Sequence, residues 1–399
     1  MSASPAEKSM QKKIIALAIA GLVSGGAFAQ TNVTLSGYVD GGYYGQSLET
    51  AGLADTKTGF AGNGAGTSAF NITITEDLGN GMKFKFFGET DWALGTGGAA
   101  GQAGTGLLNS YNFLELSGNW GAVRGGLLNT DALYAEIAAQ PFGTAIGSGI
   151  SGAFGRLARA GSNGAYAAGT AGLVAAEGEA AGGISGARSV RVNNSLQYAS
   201  PVFNGFSGSL QWAKRNNEAL PVAAASNTAG FIALGIKYNN GPINVHYVNE
   251  QISNGSQLGS GNATTLAADE KVTHDLLTGN YTFGPATVYA GWTRSKNSGN
   301  AALVTDSRSW NLGLKYQITG ALSVAGNVLR VDDKSVVNRD RSLNALGLDY
   351  ALSKRTGAYI RYETGDNDKS NTFGGGAAAV AGTSVGAFTR YQLGLKHTF

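Results

Sequence analysis

Ser309-Trp310-Asn311-Leu312-Gly313-Leu314-Lys315-Tyr316-Gln317-Ile318-Thr319 is a stretch in which every second residue is apolar. Trp310, Leu312, Leu314, Tyr316 and Ile318 fall on one side, and Ser309, Asn311, Gly313, Lys315 and Gln317 on the other. A period of two belongs to a strand whose two faces meet different surroundings. The design recurs in Arg188 to Ser200, where Val190, Val192, Leu196 and Tyr198 oppose Arg191, Asn193, Ser195 and Gln197. It recurs again at the C-terminus, where Tyr391, Leu393, Leu395, His397 and Phe399 oppose Gln392, Gly394, Lys396 and Thr398. From Asn32 onward this alternation dominates, and helical periodicity is nearly absent.

Alternation alone also fits a soluble sandwich, so the connections decide. Seven are tight turns carrying the Gly, Asn or Pro that reversal demands: Gly79-Asn80-Gly81, Gly118-Asn119, Pro201 to Gly205, Asn239 to Pro242, Gly284-Pro285, Thr319-Gly320 and Ser353 to Thr356. Eight longer polar or glycine-rich stretches alternate with them, near 46–66, 95–107, 129–187, 216–229, 251–268, 296–307, 333–340 and 365–385. Fifteen connections join sixteen strands of ten to fourteen residues. The expected fold is all-β: a sixteen-stranded antiparallel transmembrane β-barrel with short periplasmic turns and long external loops. Closure follows from the bilayer, where a free sheet edge finds no water to satisfy its backbone groups. Trp212, Tyr238, Tyr350 and Tyr362 end outward faces, as amphipathic rings do at a lipid–water boundary.

Composition agrees. The chain of 399 residues has 62 Gly, only 6 Pro and 9% aromatics, so it folds and turns often. With no cysteine, a disulfide scaffold, an iron–sulfur site and a thiolate zinc site are excluded. Lys12 and Lys13, the apolar run Ile14 to Val23 and the small-residue site Ala27-Phe28-Ala29 read as a secretory signal. Residues 1–29 are therefore assigned to an N-terminal extension plus signal peptide, with Met10 a second candidate start, and 30–399 to the barrel. The remainder carries 26 basic and 25 acidic residues, too balanced for non-specific nucleic-acid binding. The third long stretch, about 129–187, is exceptional: its later half is an Ala/Gly tract, while Asn129 to Arg159 carries charged and aromatic residues and is expected to fold inward and narrow the lumen.

Enzyme chemistry finds little support. His246, His274 and His397 are too scattered for metal-ligand spacing. Gly382-Thr383-Ser384-Val385-Gly386 fits the nucleophile-elbow pattern, and Gly147-Ser148-Gly149-Ile150-Ser151-Gly152 the dinucleotide fingerprint, but neither has its structural context. In a glycine-rich chain both are coincidences. No cofactor is implied.

Leu35-Ser36-Gly37-Tyr38-Val39-Asp40, Thr75-Glu76-Asp77-Leu78-Gly79-Asn80-Gly81 and Leu116-Ser117-Gly118 followed by Gly121 resemble the general porins of β-proteobacteria. Asn194 to Pro201 with Phe203-Asn204-Gly205-Phe206 is similar to that family's sixth and seventh strands, and Asp131-Ala132-Leu133 with Pro141-Phe142-Gly143 to the start of its constriction loop. The resemblance spans almost the whole mature chain. It implies an outer-membrane homotrimer of barrels in a Gram-negative bacterium, each with a pore for small hydrophilic solutes and ions, narrowed by the third loop. Acids on that loop would face bases on the wall: Asp131 and Glu136 as loop acids, Arg191 in the sixth strand as a wall base, and Lys83 and Lys85 in the third strand as weaker candidates beside Glu89 and Asp91. Phe399, with Tyr391, matches the C-terminal aromatic signal read by the barrel-insertion machinery. Ala69, Ser110 and Leu127 stand where the family often places arginines, so anion selectivity does not carry over and a weakly selective pore is expected. Two other readings stay open: a barrel enzyme or adhesin with a closed lumen, and a secreted soluble β-protein.

Overall fold

The computed structural model describes residues 31–50, 53–95, 107–149, 191–215, 229–253, 271–298, 306–334, 340–367 and 385–399. The strands are β1 (Asn32–Thr50), β2 (Leu53–Ala61), β3 (Ala69–Gly79), β4 (Met82–Asp91), β5 (Asn112–Gly118), β6 (Gly121–Asn129), β7 (Arg191–Ala199), β8 (Phe206–Arg215), β9 (Ala229–Asn240), β10 (Ile243–Ser253), β11 (Lys271–Phe283), β12 (Ala286–Ser298), β13 (Asp306–Gln317), β14 (Leu322–Asp333), β15 (Arg341–Ala351), β16 (Thr356–Asn367) and β17 (Val385–Thr398). One helix, α1 (Asp131–Ala138), follows β6.

Every pairing is antiparallel, and β17 returns to β1, with Tyr38 opposite Thr398 and Leu48 opposite Phe388. The sheet thus closes on itself and leaves no edge for the bilayer to solvate. Phe399 finishes the seam, exchanging backbone hydrogen bonds with Gly37 at 3.1 Å in both directions. The seven predicted turns all join consecutive strands. Asn80 (φ 52°) and Gly81 (φ 77°) take the left-handed conformations that the β3–β4 reversal requires.

The two faces of the wall separate as the alternation predicts. Trp310, Leu312 and Leu314 are 50%, 55% and 48% exposed on the outside, whereas Ser309 and Asn311 are 2% and 3% exposed inside. An outer surface of this kind has hydrocarbon for its solvent.

Three features depart from the sequence reading. The stretch near 46–66 contains a strand, β2, which pairs with the external half of β1 while β3 pairs with its periplasmic half. Among the described residues the sheet thus counts seventeen strands, of which β2 and β3 share one edge of β1, so that sixteen strands go round the barrel. Second, the start of the third long stretch forms a helix, α1, whose buried Ala132 and Ala135 are one turn apart and meet a partner surface on the wall. Third, Val192 does not share the lipid face with Leu196: it is 1% exposed against 51%, and lies opposite buried Leu128. The register slips between Gly126 and Leu128, and Asn194 has φ 52°. One such bulge breaks the period of two.

Candidate functional site

The lumen is narrowed by a segment that leaves the wall at Asn129 and runs inside it as far as Gly149. Thr130 caps α1 by accepting a hydrogen bond from Leu133 N at 3.2 Å, and Asp131 puts negative charge in the first turn. A short helix needs tertiary packing to persist. Here Ala132 and Ala135 are buried against Val248 of β10 and Leu276 of β11, whose inward neighbours His246, Glu250, His274 and Thr278 are polar. Thr278 donates to Ala135 O at 2.7 Å and Asn280 to Ala138 O at 3.0 Å, which satisfies carbonyls at the helix end.

Beyond α1 the chain continues across the next strands. Asn311 donates to Ala139 O, Asn327 donates to Gly147 O at 3.1 Å, and Gly147 N donates to Glu363 at 2.8 Å. Phe142 and Ala139 are buried with Ala325, Leu329, Val331, Leu343, Ala345 and Phe388, inward residues of β14, β15 and β17. Gly347 makes this possible, because a Cβ there would lie 2.6 Å from the Phe142 ring. The segment is therefore held along one side of the lumen by apolar seats and by wall side chains that reach its backbone.

Asp131 is buried, 3.1 Å from Lys237 Nζ, and accepts from Ser209 at 2.6 Å and Gln197 at 3.4 Å. Gly235 leaves room for it: a Cβ there would lie 2.9 Å from the Asp131 carboxylate. Glu136 is buried too. Arg191 meets acids of the wall, Asp91 at 3.5 Å and Glu89 at 3.6 Å. Ser110, one of the positions without the expected arginine, places its hydroxyl between the two carboxylates, 2.7 Å from Glu89 and 2.8 Å from Asp91, and donates its one proton to either. Lys85 lies 5.4 Å from the Phe113 ring, and Lys83 is exposed opposite Asp77 beside the periplasmic turn.

Four lumen bases escaped the sequence reading. Arg124 pairs with Glu115 across β5 and β6 and donates to Gln197 at 3.2 Å. Arg361 and Lys396 share Asp349, at 3.0 and 2.7 Å, and the Arg361 guanidinium lies 5.4 Å from the Phe142 ring. Lys237 has the role already given. All four sit on the polar face of a predicted strand, and that face was the available signal. Lys237 and Arg361 are distinguished by their contacts with the third loop, Arg124 and Lys396 by the wall acids they meet. Tyr391 is half exposed on the outer face of β17. The Gly382 to Gly386 match falls mostly outside the described residues, as do the signal segment and the later half of the third loop; Gly147 to Gly149, which begins the other glycine match, belongs to the inward segment.

Known proteins share this architecture. The chain is 27% identical over 98% of its length to the whole of outer membrane porin protein 32 of Delftia acidovorans. It is 24% identical over 98% of its length to the whole of an outer membrane porin of Bordetella pertussis. The solved anion-selective porin of Comamonas acidovorans matches with a TM-score of 0.71 and 24% identity, covering 93% of this chain and all of that one. A solved outer membrane protein of Vibrio cholerae in a trimer form matches with a TM-score of 0.58 and 14% identity, covering 92% of this chain and 99% of that one. The fold and the relatives indicate an outer-membrane channel of a Gram-negative bacterium rather than an enzyme. Residues 16–370 match the Gram-negative porin family, and to that family the chain belongs.

Proposed function

We propose that the barrel is a general diffusion porin of weak ionic selectivity. Small hydrophilic solutes and ions cross its aqueous lumen passively, sorted by size at the level of the Asn129 to Gly149 segment. The observation that carries this is charge compensation: Arg124, Arg191, Lys237, Arg361 and Lys396 each have a carboxylate within ion-pairing distance. A ring of unpaired guanidinium groups attracts anions, whereas paired charges present a dipole of little net sign.

In this reading Asp131 holds the narrowing segment to the wall and Glu136 lies behind it. Arg191, with Glu89 and Asp91, forms a compensated part of the pore wall; Lys83 and Lys85 are solvated charges towards the periplasmic mouth. The unit acts as a homotrimer, a form in which the Vibrio cholerae protein of the same fold was solved, and Phe399 with Tyr391 serves as the signal for barrel insertion. A reversal potential near zero in a planar bilayer under a KCl gradient is the expected result. Strong chloride selectivity would contradict the compensation argument.

A further inference from the structure

The outer face of β13 to β15 carries a groove of about 730 Å³. Its floor is Gly326, where β14 presents no side chain to the lipid, and Leu312, Leu314, Leu346 and Tyr362 rise around it. Asn344 lines its external end. That residue accepts from Arg330 Nη2 at 3.0 Å, while Arg330 Nη1 donates to Leu329 O at 2.8 Å and Leu343 O at 3.1 Å. A guanidinium is thereby fixed on the lipid side of the wall at the mouth of an apolar groove.

No carboxylate pairs with Arg330 among the described residues. The neighbouring charges do not compensate it either. Arg308 is exposed on β13 across from Asp332, and the Asp332 carboxylate is taken by Lys334. Arg330 lies eight residues up β14 from Leu322, roughly 20 Å at the usual rise and tilt, near the external limit of an apolar band about 25 Å tall. Trp310 sits opposite it, half exposed, where indole rings mark the headgroup level. At that depth an outward arginine is tolerated and its charge is placed to meet a headgroup.

We propose that this face binds a phosphorylated lipid of the outer leaflet, one acyl chain lying over Gly326 and a headgroup phosphate on Arg330. The depth of the arginine matches where such a phosphate would lie, and the local excess of positive charge supplies complementarity. A planar guanidinium with donors to spare suits phosphate oxygens better than an ammonium does.

The test uses the full refolded protein in detergent, with bis-phosphorylated lipid A and its dephosphorylated form as probes and native mass spectrometry to count retained lipid. Wild-type single-channel conductance establishes that each variant is folded. The phosphorylated probe should be retained about ten-fold better, the worth of one charge-assisted contact. Arg330→Gln should abolish that preference, Arg330→Lys should keep part of it, and Gly326→Leu should weaken both probes. If Gly326→Leu does not fold, the Arg330 variants decide alone. Equal retention of both probes by wild type, an unchanged preference in Arg330→Gln, or displacement of the lipid by inorganic phosphate would overturn the proposal. So would Gly326→Leu changing the oligomeric state without changing lipid retention, which would assign the groove to a second copy.

Discussion

Lys237, on the lumen side of β9, holds its ammonium 3.1 Å from the carboxylate of Asp131 at the start of α1. The same ammonium lies 5.2 Å from the Tyr134 ring, one turn along the helix. One wall base thus fixes both the charge and an aromatic of the narrowing segment. Asp131→Asn keeps polar atoms for Ser209 and Gln197 but removes the ion pair. Lys237 is one-third exposed, so water takes over its solvation, and the cost to unfolding is expected to be only about 1 kcal/mol. The segment, however, loses its first anchor. Single-channel recordings should show raised open-state noise; traces as quiet as wild type would mean the pair does not hold the segment.

Arg124 and Glu115 offer a direct handle on selectivity, since they form one compensated pair on the wall, three strands from Lys237. Glu115→Gln leaves a guanidinium about a third exposed to the lumen and should shift the reversal potential towards anions. Arg124→Gln should shift it towards cations. Shifts of the same sign in both variants would show that this pair does not border the ion path.

At Gly347 the wall is thinned for the loop. A valine there would drive its Cβ into the Phe142 ring and to 3.0 Å from Arg361 Nη1. Overpacking of this kind costs about 1–3 kcal/mol, and here the movable partner is the loop, not the sheet. Gly347→Val should fold, as judged by the heat-dependent gel shift of the barrel, yet show altered and fluctuating conductance. Conductance identical to wild type would refute the packing of Phe142 onto β15.

The barrel was legible in the sequence because its faces meet media as different as hydrocarbon and water. Trp310, Leu312 and Leu314 had no other environment available once Ser309 and Asn311 faced inward. The turns were legible for a similar reason, since positions such as Asn80 and Gly81 demand particular residues. What stayed hidden depends on contacts between distant segments. Val248 and Leu276 break the polar-inside rule only because α1 rests on them, and α1 is helical only because they are there. Asn194 gave no local sign that its left-handed backbone would bury Val192. The partners of Asp131 and Arg191 could not be read either, because Lys237 and Asp91 lie 106 and 100 positions away in the chain.

Leu314 and Lys315 are neighbours on β13 with opposite solvents. Leu314 lies midway between Trp310 and Ile318, near the middle of the apolar band, so Leu314→Arg should destabilise the barrel by about 2–4 kcal/mol in urea titrations from lipid vesicles. Lys315→Glu exchanges one hydrated charge for another and should leave the midpoint unchanged. Equal damage from both would invert or abolish the assignment of faces.

The wall is wet and open to solutes on its inner side and sealed by lipid on its outer side. The chain has no cysteine, so single introduced thiols report without background. Leu395 points outward and is 56% exposed, whereas Lys396 points into the lumen towards Asp349. Lys396→Cys and Leu395→Cys are each to be treated, during bilayer recording, with a bulky charged membrane-impermeant thiol reagent. A stepwise fall in conductance is expected for Lys396→Cys and no change for Leu395→Cys. A response from Leu395→Cys, or none from Lys396→Cys with its thiol shown to be reduced, would contradict this two-sided wall.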